Sequence, residues 1–304
     1  MLPLAAIPGL NSFVLFFALP CMLYRFGAST PIAQLLDPAV ALTYLLCALV
    51  IVAFVVAVTL RKHIGWNDAA FGALVGAFPN TGFMGVPLLV ALLGPKAAGP
   101  AIVTILVDLV ITSSLCIGLS RLGAVRDPHA GAGQGSAAGQ AVKNALKGVA
   151  TNPMPWSILL GAVVSALQIE FPQPVVQTVG LLADSASPVA LFTIGAVLAR
   201  SQMLARDDVS HAVHWRDYVP VALIKLLLHP LLVFLVGATA MQMGVPLDRF
   251  AFMVLVLLAA LPSASNVSLL AERFGADNGR IARIILVSTA AAFFTFSGAV
   301  ALMT

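Results

Sequence analysis

Long apolar runs, separated by short polar joints, make up most of this chain of 304 residues. A helix needs about 20 mostly apolar residues to cross a bilayer, and nine runs have about this length. The pattern therefore predicts an all-α integral membrane protein. The nine predicted spans lie near residues 10–27, 38–60, 66–93, 98–120, 154–170, 175–199, 217–243, 250–273 and 280–303.

The composition supports this class of protein. Sixty per cent of the residues are hydrophobic and only 9% are charged. Because a soluble domain carries about 25% charged residues, this chain cannot cover a water-facing surface, and the lipid bilayer is its expected partner. The net charge of +4 is spread along the chain, so we expect no nucleic-acid binding. Each cysteine (Cys21, Cys47 and Cys116) stands alone in an apolar run, and no disulfide, metal site or cofactor is expected.

Residues 122–152 interrupt the apolar pattern, because they are rich in glycine, alanine, serine and glutamine. Such a segment has too little apolar surface to pack and is typical of a flexible linker. We therefore expect a cytoplasmic linker here. It divides the chain into a first repeat of four spans (1–121) and a second repeat of five spans (153–304).

The basic residues predict how the chain crosses the membrane. When successive loops are assigned to alternate sides, twelve Lys and Arg residues fall on one side and three on the other, with Lys225 inside a span. Loops rich in Lys and Arg stay in the cytoplasm. We therefore predict a multi-pass protein of the cytoplasmic (inner) membrane, with the visible N-terminus in the cytoplasm and the C-terminus outside.

Two predicted spans carry the same irregularity near their middle. Pro79 and Pro262 are each followed by small polar residues, in the sequences PNTG and PSASN. Proline removes a helical hydrogen bond, and the polar side chains favour an unwound backbone. The two spans are five apart in order, so they enter the membrane from opposite sides. This arrangement predicts an inverted repeat with two proline-broken helices that cross.

Four segments together resemble the auxin efflux carrier family: GLNSFVLFFALPCMLYR (9–25), FPNTGFMGVPLL (78–89), DSASPVALFTIGAVLA (184–199) and ALPSASNVSLLAERFGAD (260–277). That family includes plant auxin exporters and bacterial proteins called malonate or malate transporters. The resemblance implies ten spans in two inverted five-helix repeats, so the first helix of the ten is expected to be missing here. It also implies a homodimer, and a scaffold of spans 1, 5 and 6 against which spans 2–4 and 7–9 move.

The two breaks predict a carboxylate site at mid-membrane. Broken helices in corresponding positions point to the binding site of a transporter. The half-helices that follow the breaks present free N–H groups, and amide and hydroxyl side chains add further donors. We therefore predict a secondary transporter of small organic anions that works by alternating access. The predicted substrate-binding residues are Asn80, Thr81, Gly82, Ser263, Ser265 and Asn266, with Pro79 and Pro262 at the helix breaks.

Four ionisable residues fall near the middle of predicted spans: Asp108, Asp184, Lys225 and His229. A charge at the centre of a membrane helix costs about 2.5–3.5 kcal/mol on insertion scales. Two interpretations stay open. Lys225 pairs with Asp108 or Asp184 in a cluster that carries a coupling proton, or the pair is static and holds helices together. Sodium coupling stays open as well.

Other functions are weighed against this one. A cation/proton antiporter on the same crossing architecture is the alternative, but it requires carboxylates at the crossing, where this chain has Asn80 and Asn266. An intramembrane enzyme requires a nucleophile–base pair or a metal cluster, and a lone His229 supplies neither, so no enzyme is expected. The motif does not distinguish malonate, malate, a monocarboxylate or an aromatic acid. Glu272 and Arg273, at the end of the eighth span, are interpreted as interfacial residues or a gate pair.

Overall fold

The computed structural model describes residues 6–29, 37–61, 64–122, 153–207 and 213–304. In this part of the chain the regular secondary structure is helical and contains no β-strand. The predicted linker, apart from Leu122, lies outside the described residues. The helices are α1 (Ile7–Ser29), α2 (Pro38–Thr59), α3 (Trp66–Ala77), α4 (Thr81–Leu93), α5 (Pro95–Ser120), α6 (Pro153–Ala166), α7 (Gln173–Asp207), α8 (Trp215–Gln242), α9 (Arg249–Ala259), α10 (Asn266–Arg273) and α11 (Asn278–Met303).

Six of these helices are long and apolar enough to cross a membrane: α1, α2, α5, α7, α8 and α11. They coincide with six of the predicted spans, and they confirm an all-α protein with many membrane-length helices. The other three predicted spans are short or interrupted. Helix α6 has 14 residues, and the spans predicted at 66–93 and 250–273 are each divided into two helices. The count of nine spans and the inverted repeat therefore stay predictions.

Acidic side chains define where several helices begin. The carboxylate of Asp37 accepts hydrogen bonds from the backbone N–H groups of Ala39 and Val40 at 3.0 and 3.1 Å. Asp248 caps the start of α9 in the same way. The first N–H groups of a helix have no partner within it, so each cap stabilises the helix at a defined starting residue.

The helices pack as two groups. Helices α6 and α7 each pack against α1, and we call these three helices the scaffold. Helices α2 to α5 and α8 to α11 form the second group, which we call the crossing body because it contains both interrupted helices. The division follows the grouping that the family resemblance predicts for the spans. Helices α7 and α11 pack against each other across the boundary.

Two glycines let α1 and α6 approach each other backbone to backbone. A Cβ added at Gly27 would collide with the carbonyl of Ile158, and one added at Gly161 would collide with the carbonyl of Tyr24. In lipid there is no hydrophobic force between helices, so close packing of small residues holds them together. This contact therefore fixes the short helix α6 against α1.

Buried Arg280 ties one end of the crossing body together. Its Nε and Nη1 donate to the backbone carbonyls of Asp217 and Asp68 at 2.7 and 2.8 Å. The carboxylate of Asp68 in turn accepts a hydrogen bond from the N–H of Asp277 at 2.7 Å. These residues lie at the starts of α8, α3 and α11, which are thereby held as one unit on the predicted cytoplasmic side.

Candidate substrate site at the helix crossing

The two interrupted helices meet at their breaks. The segment between α3 and α4 runs antiparallel to the segment between α9 and α10. The N–H of Asn80 donates to the carbonyl of Pro262 at 2.8 Å, and the N–H of Ala264 donates to the carbonyl of Phe78 at 2.9 Å. Backbone that leaves a helix inside a membrane needs such partners, because no lipid group can replace them. Each break therefore stabilises the other.

Proline alone does not interrupt the helices of this protein. Pro188 lies inside α7 and Pro220 inside α8, and both helices continue through them. At Pro79 and Pro262 the backbone leaves the helix. We attribute the difference to the small polar residues that follow, which have weak helix propensity, and to the backbone pairing between the two breaks. The predicted breaks are thus present in the structure.

A small space lies beside the crossing. Its volume is about 20 Å³, roughly the room of one water molecule. Asn80 and Asn266 line it, and most of the other lining residues are apolar. Those apolar residues are Leu19, Met22 and Leu23 of α1 and Ile105 and Leu109 of α5, together with Phe78, Phe83 and Ala264 at the crossing. The space therefore lies between a scaffold helix and the crossing body.

The structure places the six predicted substrate-binding residues in two sets. Asn80, Gly82 and Asn266 line the small space. The other three are buried at the crossing without lining it, and their hydroxyl oxygens have no hydrogen-bond partner in the described part of the chain. They are Thr81, Ser263 and Ser265. Buried hydroxyls in proteins usually have a hydrogen-bond partner. These three are therefore available to donate a hydrogen bond to a bound molecule.

Asp108, Lys225 and His229 are fully buried. The Nζ of Lys225 donates to the carbonyl oxygen of Ala259 at 2.6 Å and lies 3.1 Å from Nδ1 of His229. Ala259 ends α9, so the amino group meets the helix end where the dipole is negative. A carboxylate oxygen of Asp108 accepts a hydrogen bond from the hydroxyl of Tyr44 at 2.7 Å. The hydrogen bond to Ala259 thus joins Lys225 to the end of α9, next to the second helix break.

Asp184 lies apart from this cluster. Its carboxylate accepts a hydrogen bond from Arg25 at 2.7 Å, and the two side chains are 66% and 46% exposed. Both residues belong to the scaffold, on α7 and α1. The interpretation that pairs Lys225 with Asp184 is therefore corrected, because Asp184 already has a partner in its own group of helices. The hydrogen bonds of Lys225 go to Ala259 and His229 instead.

Glu272 forms an ion pair between the two groups of helices. Nη1 and Nη2 of Arg200, on α7, lie 2.7 and 2.5 Å from the two carboxylate oxygens of Glu272, at the end of α10. Arg273 does not pair with its neighbour Glu272. Its guanidinium lies over the ring of Phe16 on α1, 5.1 Å from the ring centroid. The partner of Glu272 is thus Arg200, which sequence reasoning missed.

The whole chain matches a known protein family. A family model described as "Membrane transport protein" matches residues 1–300. The chain belongs to this family. Membership of the auxin efflux carrier family, predicted from the segments around Pro79 and Pro262, is thereby confirmed. Together with the six membrane-length helices, it makes this chain a multi-pass membrane transport protein and not an enzyme.

Two relatives carry names that concern transport. A protein of Rhizobium meliloti (strain 1021) named "Putative malonate transporter" is 28% identical over 304 residues, which cover 97% of this chain and 87% of the relative. A protein of Escherichia coli (strain K12) named "Uncharacterized transporter YfdV" is 28% identical over 209 residues, which cover 68% of this chain and 59% of the relative.

For this membrane transport protein, sequence reasoning found the breaks and missed what surrounds them. Tyr44, Arg200 and the apolar lining residues Met22 and Leu109 were not singled out. Each was hidden in a helix whose own pattern is ordinary, and each becomes visible only through a neighbour far along the chain. The sequence feature that could have indicated the partner of Glu272 is a basic residue at the end of another predicted span, as Arg200 is.

Proposed function

We propose that this membrane transport protein is a secondary carrier of small organic anions, with the carboxylate bound at the helix crossing. The observation that carries the proposal is the joining of two antiparallel helix breaks beside a small space that Asn80 and Asn266 line. Interrupted helices in a transporter mark its substrate site. The family match supports transport, and the chemistry of the crossing supports an anion.

The crossing offers hydrogen-bond donors without a full positive charge. Helices α4 and α10 begin at the breaks, and the N-terminus of a helix favours an anion through its free N–H groups and its dipole. The amides of Asn80 and Asn266 add side-chain donors. Among the described residues that line the space, none is a lysine, arginine or histidine. A neutral receptor suits a carrier, because the anion must leave the site as well as enter it.

Alternating access follows from where the space lies. Its lining comes from scaffold helix α1 on one side and from the crossing body on the other. Movement of one group of helices against the other therefore opens the site to one side of the membrane at a time. The space of about 20 Å³ is too small for a dicarboxylate, so the site must widen when the acid binds.

Proton coupling through the buried cluster belongs to this proposal. Ionisable groups within a membrane protein commonly form proton relays, and Lys225 contacts the end of α9 directly. The alternative of a cation/proton antiporter requires carboxylates at the crossing. Asp108 is buried close by but bonded to Tyr44, and no carboxylate is among the described residues lining the space. The anion carrier is therefore favoured over the antiporter.

The setting of the carrier completes the proposal. The distribution of Lys and Arg residues supports the cytoplasmic (inner) membrane, with the visible N-terminus in the cytoplasm and the C-terminus outside. The family resemblance supports a homodimer. The name of the Rhizobium relative makes malonate one of the acids to test, beside malate, monocarboxylates and aromatic acids.

Binding of carboxylates to the purified protein tests the proposal. A ligand that binds the folded state raises the melting temperature, and the rise grows with the logarithm of the ratio of its concentration to its dissociation constant. A panel of small acids is therefore screened by thermal unfolding in detergent, all at one concentration. We expect one or a few acids to stabilise the protein. Asn80→Ala and Asn266→Ala should each weaken that binding by roughly 10- to 100-fold, because a hydrogen bond to a charged group contributes about 1.5–3 kcal/mol.

Thr59→Val is the matched control. It removes a buried hydroxyl that bonds only within its own helix, far along α2 from the crossing, and binding should stay at the parental affinity. A parental affinity in both asparagine variants would place the acid somewhere other than the crossing. A panel in which no acid stabilises the protein would count against the carboxylate itself.

A further inference from the structure

The contact between Arg200 and Glu272 joins parts of the protein that the proposed transport cycle must separate. Arg200 lies on scaffold helix α7, and Glu272 lies on α10 of the crossing body. The two nitrogen–oxygen distances are 2.7 and 2.5 Å, so the guanidinium and the carboxylate form a bidentate ion pair. Paired hydrogen bonds of this kind are among the strong polar contacts in proteins, and their geometry is specific.

Glu272 is held firmly on its own side of this contact. The amide of Asn278, at the start of α11, donates to Oε2 of Glu272 at 2.8 Å. The hydroxyl of Ser268 donates to the amide oxygen of Asn278 at 2.7 Å. The loop after α10 is fastened in turn, because the side chain of Asn67 donates to the carbonyls of Phe274 and Gly275. The carboxylate therefore moves with the crossing body.

The position of Glu272 is unfavourable without Arg200. It lies at the C-terminal end of α10, where the helix dipole is negative and opposes an acidic side chain. The guanidinium of Arg200 reverses that situation, because a cation is favoured there. The two side chains are only 22% and 19% exposed, so water screens the pair less than it screens a surface ion pair.

A second contact lies next to the first and also bridges the two groups of helices. The guanidinium of Arg273 stands over the ring of Phe16, on scaffold helix α1, at 5.1 Å from the centroid. Glu272 and Arg273, which are consecutive residues at the end of α10, thus contact two different scaffold helices. A cation over an aromatic face is attractive, so both contacts hold the crossing body to the scaffold at the end of α10.

We propose that Arg200 and Glu272 form a latch which holds the crossing body against the scaffold on the Glu272 side of the membrane and opens in every transport cycle. This inference rests on the proposed function, since it assumes that the two groups of helices move against each other. The latch stabilises the arrangement in which α7 and α10 are in contact. Its strength therefore sets how often the substrate site opens toward the side on which Glu272 lies.

Accessibility of the small space at the crossing tests the latch without any substrate. Leu19 lines that space and is 3% exposed, so a cysteine at this position reports when the space opens. The parent protein carries Leu19→Cys with Cys21, Cys47 and Cys116 changed to alanine. A membrane-impermeant maleimide is added to membrane vesicles from the Glu272 side, and the rate of labelling is measured.

We expect Glu272→Gln to label roughly fivefold faster than the parent, because one lost ionic contact shifts a two-state equilibrium by about that factor. Arg200→Lys keeps the charge but loses the two-pronged geometry, so its rate should lie between the two. The exchanged pair, Arg200→Glu with Glu272→Arg, should return toward the parental rate. Labelling of Glu272→Gln and Arg200→Lys at the parental rate would overturn the proposal.

Asp184→Asn is the matched control. It breaks the ion pair with Arg25, which lies entirely within the scaffold, and its labelling rate should equal that of the parent. Faster labelling in this control to the same extent would show general loosening and would also overturn the latch. Because no carboxylate is present, the outcome is separate from the substrate tests. A failed latch leaves the carrier proposal standing, and a failed substrate screen leaves the labelling result readable.

Discussion

Asp108 and Tyr44 illustrate how single residues are stabilised inside this protein. Tyr44 is completely buried on α2, and its hydroxyl donates to Asp108, 64 residues further along the chain, at 2.7 Å. A buried carboxylate without a donor is costly, because nothing replaces the water it has lost. The hydrogen bond therefore allows an acid to lie within the helices of the crossing body.

Tyr44→Phe should destabilise the protein for this reason. The substitution keeps the ring and removes the donor, which leaves a buried acceptor without its partner at a cost of about 1–3 kcal/mol. We expect the melting temperature in detergent to fall by roughly 2–8 °C. Tyr24→Phe is the control, because Tyr24 lines an open groove between α1, α6 and α7 and its substitution should change the melting temperature little. Equal melting temperatures for Tyr44→Phe and the parent would show that the hydrogen bond contributes nothing.

At this scale the sequence identified one half of each pair. Asp108, Lys225 and Glu272 stand out as ionisable residues in or beside apolar runs, so they could be selected by inspection. Their partners, Tyr44, the Ala259 carbonyl and Arg200, lie far away in sequence, and the angle at which two helices pack decides which side chains meet. In helices that are apolar on nearly every side, the sequence does not show the angle at which they pack.

The interrupted helices belong to the scale of elements. Their pairing places the carbonyl of Pro262 against Asn80 and the carbonyl of Phe78 against Ala264. Both breaks could be predicted from the sequence, because proline removes a helical hydrogen bond and the small polar side chains after it bond to the backbone instead. Pro188 provides the contrast, because α7 continues through it. A proline interrupts a helix here only where another backbone segment supplies partners.

Pro79→Ala should therefore impair transport more than Pro188→Ala does. Alanine at position 79 supplies an N–H and a strong helix propensity, which favours extension of α3 into the segment that pairs with the second break. We expect the initial rate of carboxylate transport to fall by about tenfold or more, since such segments absorb the motion of the cycle. Reconstituted vesicles measure this rate.

Pro188→Ala provides the comparison within the same membrane environment. Its helix is already continuous, so the rate should stay within about twofold of the parent, given that a compatible proline replacement acts mainly on stability. Equal rates in Pro79→Ala and the parent would mean that the break does not depend on its proline.

At the scale of the whole molecule, the composition predicts a membrane environment, and the packing of the helices determines how they are grouped. Of the nine spans that the apolar runs predicted, the structure confirms six as helices of membrane length, and the family match confirms a transport protein. The shortness of α6 was beyond the pattern, and the grouping into scaffold and crossing body was predicted only through the family resemblance, because hydropathy measures which residues avoid water and not which helices touch. The small space between α1 and the crossing arises only from that packing.

The central claim is that the small space at the helix crossing is the carboxylate site of a carrier. Charge-movement currents on a solid-supported membrane test it most directly, with the reconstituted protein pulsed with a panel of small carboxylates and with sodium and pH jumps. The account predicts currents for one or a few acids, and their loss in Asn80→Ala. Silence toward every acid, with currents driven instead by sodium or pH jumps, would contradict the account and favour the cation/proton antiporter.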